Sequence, residues 1–452
     1  MTIQDRGQEG VHRRTALGFI GEVTFFYVAI VFASTTTILP GFVGSLTRSA
    51  VLVGLVLTLA EGAWRLPQLF VANWLSTKPR KKPYLTWVAA VSRPAYLVLA
   101  AALWGGISKR PAAALALFFA LHLFMYAALS IDSLVWWDIF AKAIPLQRRG
   151  RILGTSTALQ GLLAIGAGSI VTWILGGKSL SFPGNYAILF ALSGFSLLGS
   201  LLCWLAVREP VEHVPSTRLP WRIFAGHVRG LVAKDRLFQR FLLVRLLAGF
   251  EGLALGFYIL FAIHVLGFPP SMIGVFAAVQ TTGAVFGGVV FGWISDRFGN
   301  HRLIQIATLI GFSAPLSALV FSLARPTGFA AYSFAWVFLA IGLFGTALFV
   351  GFNSLAVELA PTEERGVYIG VFNLASGLVI AWPSVGGWMV DRTSFTILFA
   401  VTAVLTLIAH AASWSLYAPP ARQVSRMISR TRSEMLPSVA SYRHLDTDNI
   451  SG

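Results

Sequence analysis

The sequence predicts an all-α integral membrane protein of twelve transmembrane helices, arranged as two six-helix pseudo-repeats. Three observations lead there: an apolar composition, apolar stretches of spanning length, and basic residues concentrated in alternate loops. Hydrophobic residues make up 56% of the 452 and charged residues only 12%, and the mean hydropathy is +0.73. A soluble chain carries roughly a quarter charged residues, so water is not the main solvent of this one. Backbone polar groups must be satisfied inside lipid, so stretches of about twenty apolar residues are helices. A transmembrane barrel would show short alternating segments instead.

The spans are expected near 17–39, 50–75, 84–105, 112–140, 151–176, 185–207, 239–266, 270–295, 302–324, 330–358, 366–390 and 393–417. No small-residue cleavage site follows the first, which reads as a retained span rather than a signal peptide. An even number of spans puts both termini on one side. Segments on that side hold 26 of the 35 Lys and Arg, and the opposite loops hold 6. Arg65, Arg93 and Arg245 lie within spans. The positive-inside rule then makes both termini cytoplasmic, in a multi-pass protein of the cell's inner (plasma) membrane. The net charge of +17 is a topology signal and a lipid-facing rim, not a nucleic-acid face. Cys203 is the one cysteine, so no disulfide or CxxC metal site forms within one chain. No cofactor or metal is expected, and the protein is expected to be monomeric.

The longest inside loop divides the chain. The expected units are an amino-terminal bundle (1–207), a linker (208–238), a carboxy-terminal bundle (239–417) and a tail (418–452). The halves resemble each other. IPLQRRGRILG (Ile144 to Gly154) precedes the fifth span, and APTEERGVYIG (Ala360 to Gly370) precedes the eleventh. Pro145, Arg149, Gly150 and Gly154 recur at one constant offset as Pro361, Arg365, Gly366 and Gly370. A parallel repeat of this kind places a site between the halves, near the midplane.

After the eighth span the sequence reads GWISDRFGNHR, Gly292 to Arg302. This resembles the signature of the major facilitator superfamily, Gly-x-x-x-Asp-Arg-x-Gly with a basic end. Gly292, Asp296, Arg297 and Gly299 are on pattern, and Arg302 supplies a basic residue, while Asn300 and His301 depart from it. The first-half counterpart, ANWLSTKPRKK, has Ala72 and Ser76 where Gly and Asp are expected. The resemblance implies a cytoplasmic gate latch, with Asp296 facing the helix N-terminus that begins after Arg365, and Arg149 and Arg365 as its loop partners. Gly292 is expected to let a neighbouring helix approach. The Arg-x-x-Gln-Gly pattern of proton-driven drug exporters is absent from the fourth span. The fifth lacks the Gly-Pro of the antiporter signature.

Ionisable residues inside spans are costly and face partners or a wet cavity. Here they are Glu22, Glu61, Arg65, Arg93, Asp132, Arg245 and Glu251. At a helical rise of about 1.5 Å per residue, Arg65, Arg93 and Asp132 share a layer roughly 12–15 Å from the inside ends. Glu61 and Arg65 are four residues apart, on one helix face. Four acids stand against three bases, so one carboxylate is left without a guanidinium. An unpaired carboxylate in low dielectric favours taking up a proton, which suits proton coupling, and Glu61 is the first candidate, ahead of Glu251. Read instead as structure, the set is a salt-bridge lock. Asp138 and Glu358, at the inside ends of spans four and ten, are gate or interface candidates. His122, His264 and His410 each stand alone on their spans and read as core histidines.

The function implied is a secondary active transporter that moves a small organic solute by alternating access, proton-coupled, with export one of its possible directions. An uncoupled facilitator is the alternative. A membrane-embedded enzyme would need a catalytic constellation that no residue spacing supplies, and a scaffold would better fit a long extramembrane domain.

Overall fold

A computed structural model describes residues 3–75, 78–177, 180–210, 235–360 and 365–416. Ser76, most of the expected linker and the tail 418–452 lie outside the described residues. The described segments form helices and no strands. Eleven are long and apolar enough to cross a membrane. The twelfth, span eleven, is a pair of helices, Arg365–Gly377 and Trp382–Arg392, parted by a turn over 378–381.

Several spans expected as single helices are broken, each for a local reason. The first runs as Ile3–Phe32 and resumes as Ile38–Leu46, not as one helix over 17–39. Between them lies Ser34-Thr35-Thr36-Thr37, whose hydroxyls compete with the helical ladder; the Thr36 N–H donates to Ser34 Oγ. Span three is Lys82–Ser92 and Ala95–Trp104, broken at Arg93 and Pro94 because proline lacks the N–H that would continue the ladder. Pro67, by contrast, lies inside the unbroken helix Ala50–Leu75 of span two. Span seven is Arg236–Ala248, a 3-10 turn Gly249–Leu253, and Phe257–His264. Gly249, Gly252 and Gly256 crowd that break, and glycine is a weak helix former. The remaining spans are Pro111–Ala143 (four), Leu146–Gly176 (five), Gly184–Leu205 (six), Met272–Phe298 (eight), Asn300–Ala324 (nine), Ala335–Leu359 (ten) and Phe395–Ser413 (twelve).

The apolar cores show how the halves meet. On the face away from the termini, the far face, one continuous core joins them, with Ile38 and Phe42 of the first half packed among Phe257, Phe261 and Ile273 of the second. On the terminal face each half has its own core. Phe19, Leu85, Val135, Ile139 and Trp204 form one, and Phe238, Phe241, Phe291, Leu303 and Phe352 form the other. The molecule is therefore closed at the far face and parted at the terminal face.

Span two packs along span eleven, and span five along span eight. These contacts are backbone-close on the far side. A Cβ at Gly54 would lie 2.1 Å from the Pro383 carbonyl oxygen, and one at Gly387 would lie 2.3 Å from that of Ala50. Such approaches require glycine. The same seam is closed by Asp391, at the end of span eleven. Its carboxylate accepts the N–H of Ala50 at 2.8 Å and of Val51 at 3.2 Å, and the Ser49 hydroxyl at 3.3 Å. A carboxylate from one half thus caps the positive N-terminus of a helix in the other.

Candidate functional site

The seven intramembrane charges fall into three groups rather than one layer. The first is buried inside the amino-terminal half. Arg93, at the break between the two helices of span three, is 2% accessible. Its Nη2 lies 3.1 Å from Glu22 Oε1 and 3.7 Å from Asp132 Oδ2, and its Nη1 donates to Ser200 Oγ at 2.8 Å. Glu22 also accepts Trp136 Nε1 at 2.8 Å and Ser200 Oγ at 3.0 Å. Spans one, three, four and six are tied together by this cluster. Trp136 and Ser200 carry the tie but have no charge to mark them in the sequence.

The second group lies on span two. Arg65 Nε donates to Glu61 Oε2 at 2.7 Å, with both side chains about a third exposed (28% and 37%). The Arg65 guanidinium also covers the Trp64 ring at 5.1 Å. Glu61 is therefore paired and wet, not the lone carboxylate expected of it. The helical spacing that lets the two meet also neutralises them.

The third group is on span seven. Glu251 sits in the 3-10 turn, 4% accessible. Its Oε1 is buried without a hydrogen-bond partner, and among the described residues no guanidinium or ammonium forms an ion pair with it. Glu251 is thus the carboxylate left over from the count. The turn around it packs on span eleven: a Cβ at Gly386 would lie 1.9 Å from the Leu253 carbonyl oxygen, and Phe250 stacks on Trp382 at 4.6 Å. Six residues earlier, Arg245 places its guanidinium 5.7 Å from the Phe352 ring. The helix break separates it from Glu251.

At the terminal face the two halves repeat one device. Asp138, ending span four, pairs with Lys81 at 2.8 Å and Lys142 at 2.7 Å. Its counterpart Glu358, near the end of span ten, accepts from Asn300 Nδ2 at 3.0 Å, and Asn300 in turn accepts the Ser295 hydroxyl at 2.6 Å. Asn300, which departs from the signature, thus ties the loop to span ten. Arg149 caps span four by donating to the carbonyls of Ala141 and Ile144. Glu209 caps span three, accepting the N–H groups of Lys81 and Lys82 at 2.7 and 2.8 Å.

The latch residues are apart. Asp296 is exposed. Arg297 lies over Trp293 at 5.6 Å, Arg302 is exposed, and Gly299 turns the loop with φ of 85°. The side chain of Arg365 lies outside the described residues. Two expectations change. Nothing lies within 4 Å of a Cβ built at Gly292, because the halves are parted there. Across the halves, span eight runs along span five, while span eleven runs along span two; the neighbour of the signature loop is the start of span five rather than of span eleven.

His122 and His410 have core partners: His122 Nε2 meets the Val56 carbonyl at 2.9 Å, and His410 Nδ1 meets Thr308 Oγ1 at 3.2 Å. Among the described residues no group of three or more His, Cys, Asp or Glu is placed to hold a metal ion.

The sequence model of the Major Facilitator Superfamily matches residues 139–383. The cis,cis-muconate transport protein of Acinetobacter baylyi is 26% identical over 169 residues, which is 37% of this chain and only 39% of that relative's length. Among solved structures, a D-xylose–proton symporter aligns with a TM-score of 0.64 at 16% identity, covering 89% of this chain and 97% of its own. A bacterial homologue of the iron transporter ferroportin, in an inward-facing state, aligns at 0.65 and 12% identity, covering 92% and 99%. At these identities the structural likeness is one of fold.

Proposed function

The chain belongs to the Major Facilitator Superfamily, and on that premise we propose that it moves a small organic solute by alternating access, coupled to protons. The parted terminal face and the closed far face are one of the two states that such a cycle needs. With cytoplasmic termini in the inner membrane, this state faces inward. A reporter fused to the carboxy terminus is then expected to be active only when it is a cytoplasmic reporter; activity of a periplasmic one reverses the orientation.

The observation that carries proton coupling is Glu251. A group can couple to a conformational change only if the two states treat it differently. Asp132 and Glu22 lie inside one half, where rigid-body rocking leaves their surroundings alone. Glu251 also lies inside one half, but in the turn that breaks span seven, packed on spans eleven and twelve, and a change in that turn as the halves move would change what it touches. Its unpartnered buried oxygen makes it the place for a proton to load and leave. Asp296 acts later in the cycle, when the terminal face closes and brings it to the start of span five.

The test is solute uptake into proteoliposomes with and without a pH gradient, with cis,cis-muconate the first solute to try. Uptake should respond to the gradient. Glu251→Gln should remove that response, while Glu61→Gln should retain it. A response untouched by Glu251→Gln removes this carboxylate from the coupling, and no response in the unaltered protein makes it a facilitator.

A further inference from the structure

We propose that the crevice between spans one and six binds one phospholipid with an anionic headgroup, from the leaflet on the terminal side. The crevice measures about 370 Å³ and is lined by Arg13, Arg14, Leu17, Gly18, Cys203 and Ala206. Its chemistry changes along its length. Arg13 and Arg14 are exposed at the mouth, where the apolar part of span one begins. One turn deeper the lining is apolar. Leu17 is 58% exposed, and Leu202, beside Cys203, is 68% exposed. Leucines left open at that depth of a spanning helix meet acyl chains rather than water.

The floor is set by backbone. A Cβ at Gly18 would lie 3.0 Å from the Cys203 carbonyl oxygen, and one at Gly21 would lie 2.7 Å from Cys203 Sγ. Spans one and six are therefore held close by glycine, and the recess over Gly18 and Ala206 has no long side chain of its own to fill it. More positive charge surrounds the mouth. The Arg208 N–H donates to Thr15 Oγ1 at 3.4 Å, which sets Arg208 level with the ends of both helices. Lys82 Nζ donates to the carbonyls of Leu205 and Val207, on either side of Ala206. Glu209 lies beside them, but its carboxylate is occupied by the N–H groups of Lys81 and Lys82.

That pattern selects the ligand. A soluble anion would use the arginines and gain nothing from the apolar floor. A lipid without net charge would use the floor and gain little from the arginines. A phospholipid with net negative charge uses both, its phosphate oxygens accepting from the guanidinium groups while an acyl chain lies along Leu17 and Leu202. Basic pockets between spanning helices take anionic headgroups in this way. The same two helices carry Glu22 and Ser200, joined at 3.0 Å in the buried cluster, so a lipid held across them braces the amino-terminal half.

The test uses the full-length protein in dodecyl maltoside micelles, with N-ethylmaleimide labelling of Cys203 as the readout. Cys203 is the one cysteine of the chain and lies half-buried in the crevice, so labelling reports occupancy of this place. The thiol should react in lipid-free micelles. Dioleoyl phosphatidylglycerol should protect it, with one retained lipid per protein counted by native mass spectrometry. Dioleoyl phosphatidylethanolamine should need a far higher concentration, and inorganic phosphate should not protect. An arginine near an anionic lipid surface contributes about fivefold in affinity, so Arg13→Gln combined with Arg14→Gln should raise the half-protecting lipid concentration about 30-fold. Arg236→Gln combined with Arg240→Gln removes the same charge at the start of span seven and should leave protection unchanged. Where the first pair fails to fold by size exclusion, Arg14→Gln alone should give about a fivefold shift. The proposal is overturned by a thiol that does not react without lipid, or by a lack of protection from phosphatidylglycerol. It is also overturned by equal protection from phosphatidylethanolamine or phosphate, by no shift in the Arg13 and Arg14 variants, or by the same shift in both pairs.

Discussion

Arg93→Leu is expected to be the most damaging single substitution in the protein. The guanidinium is the only cation paired with Glu22 and Asp132 among the described residues, and all three are buried. Removing it leaves two acids crowded in low dielectric, and breaking a buried pair from one side costs about 3–5 kcal/mol. The cluster joins four spans, so the loss is felt across the whole amino-terminal half. Heating the variant in detergent and following the monodisperse fraction by size exclusion should show melting well below that of the unaltered protein. Replacing all three charges with apolar residues of similar size should recover much of the loss, because the penalty lies in the unpaired acids rather than in the missing bond. A variant that melts with the unaltered protein would mean that the cluster is not a lock.

Gly54→Val is expected to reverse which face is open. A Cβ there would meet the Pro383 carbonyl at 2.1 Å. The obstacle is backbone, so no side chain can swing aside, and spans two and eleven must part at the far face. Asp391→Ala acts on the same seam more gently, by removing the cap on Ala50 and Val51. Losing such a cap costs about 0.5–2 kcal/mol, enough to shift a two-state population by about 5–30-fold at the upper end of that range. Spin labels at 48 and 325 report the far face, and labels at 80 and 302 the terminal face. The glycine variant should lengthen the first distance and shorten the second, with the Asp391 variant in between. Distances unchanged in both would separate this seam from the opening equilibrium.

The spans were legible because lipid imposes them: a run of apolar residues between basic loops has few other solutions. Their breaks were not, because hydropathy measures composition and is blind to backbone continuity. Gly249, Gly252 and Gly256 in span seven, and Gly377 with Pro383 in span eleven, were the available signals, and they mark the two helices that flank Glu251. The charged residues could be found from their cost, but not their partners. Glu61 and Arg65 share a helix face, so their pairing follows from spacing alone. Glu22 and Arg93 are 71 residues apart, and only the packing of spans one and three against span six decides that they meet. Asp391 was hidden for another reason. It sits at a span end, where an acid costs little, and its role appears only when the opposite half supplies an uncapped helix.

The central claim, that solute and proton move together through a parting and closing of two halves, is tested most directly by measuring proton movement driven by solute alone. Proteoliposomes loaded with a pH-sensitive dye, with no initial gradient, are given a transported solute on one side. The dye should report a pH change that follows solute flux, collapses with a protonophore and is absent from Glu251→Gln. Solute flux of normal size with a silent dye in the unaltered protein would contradict it.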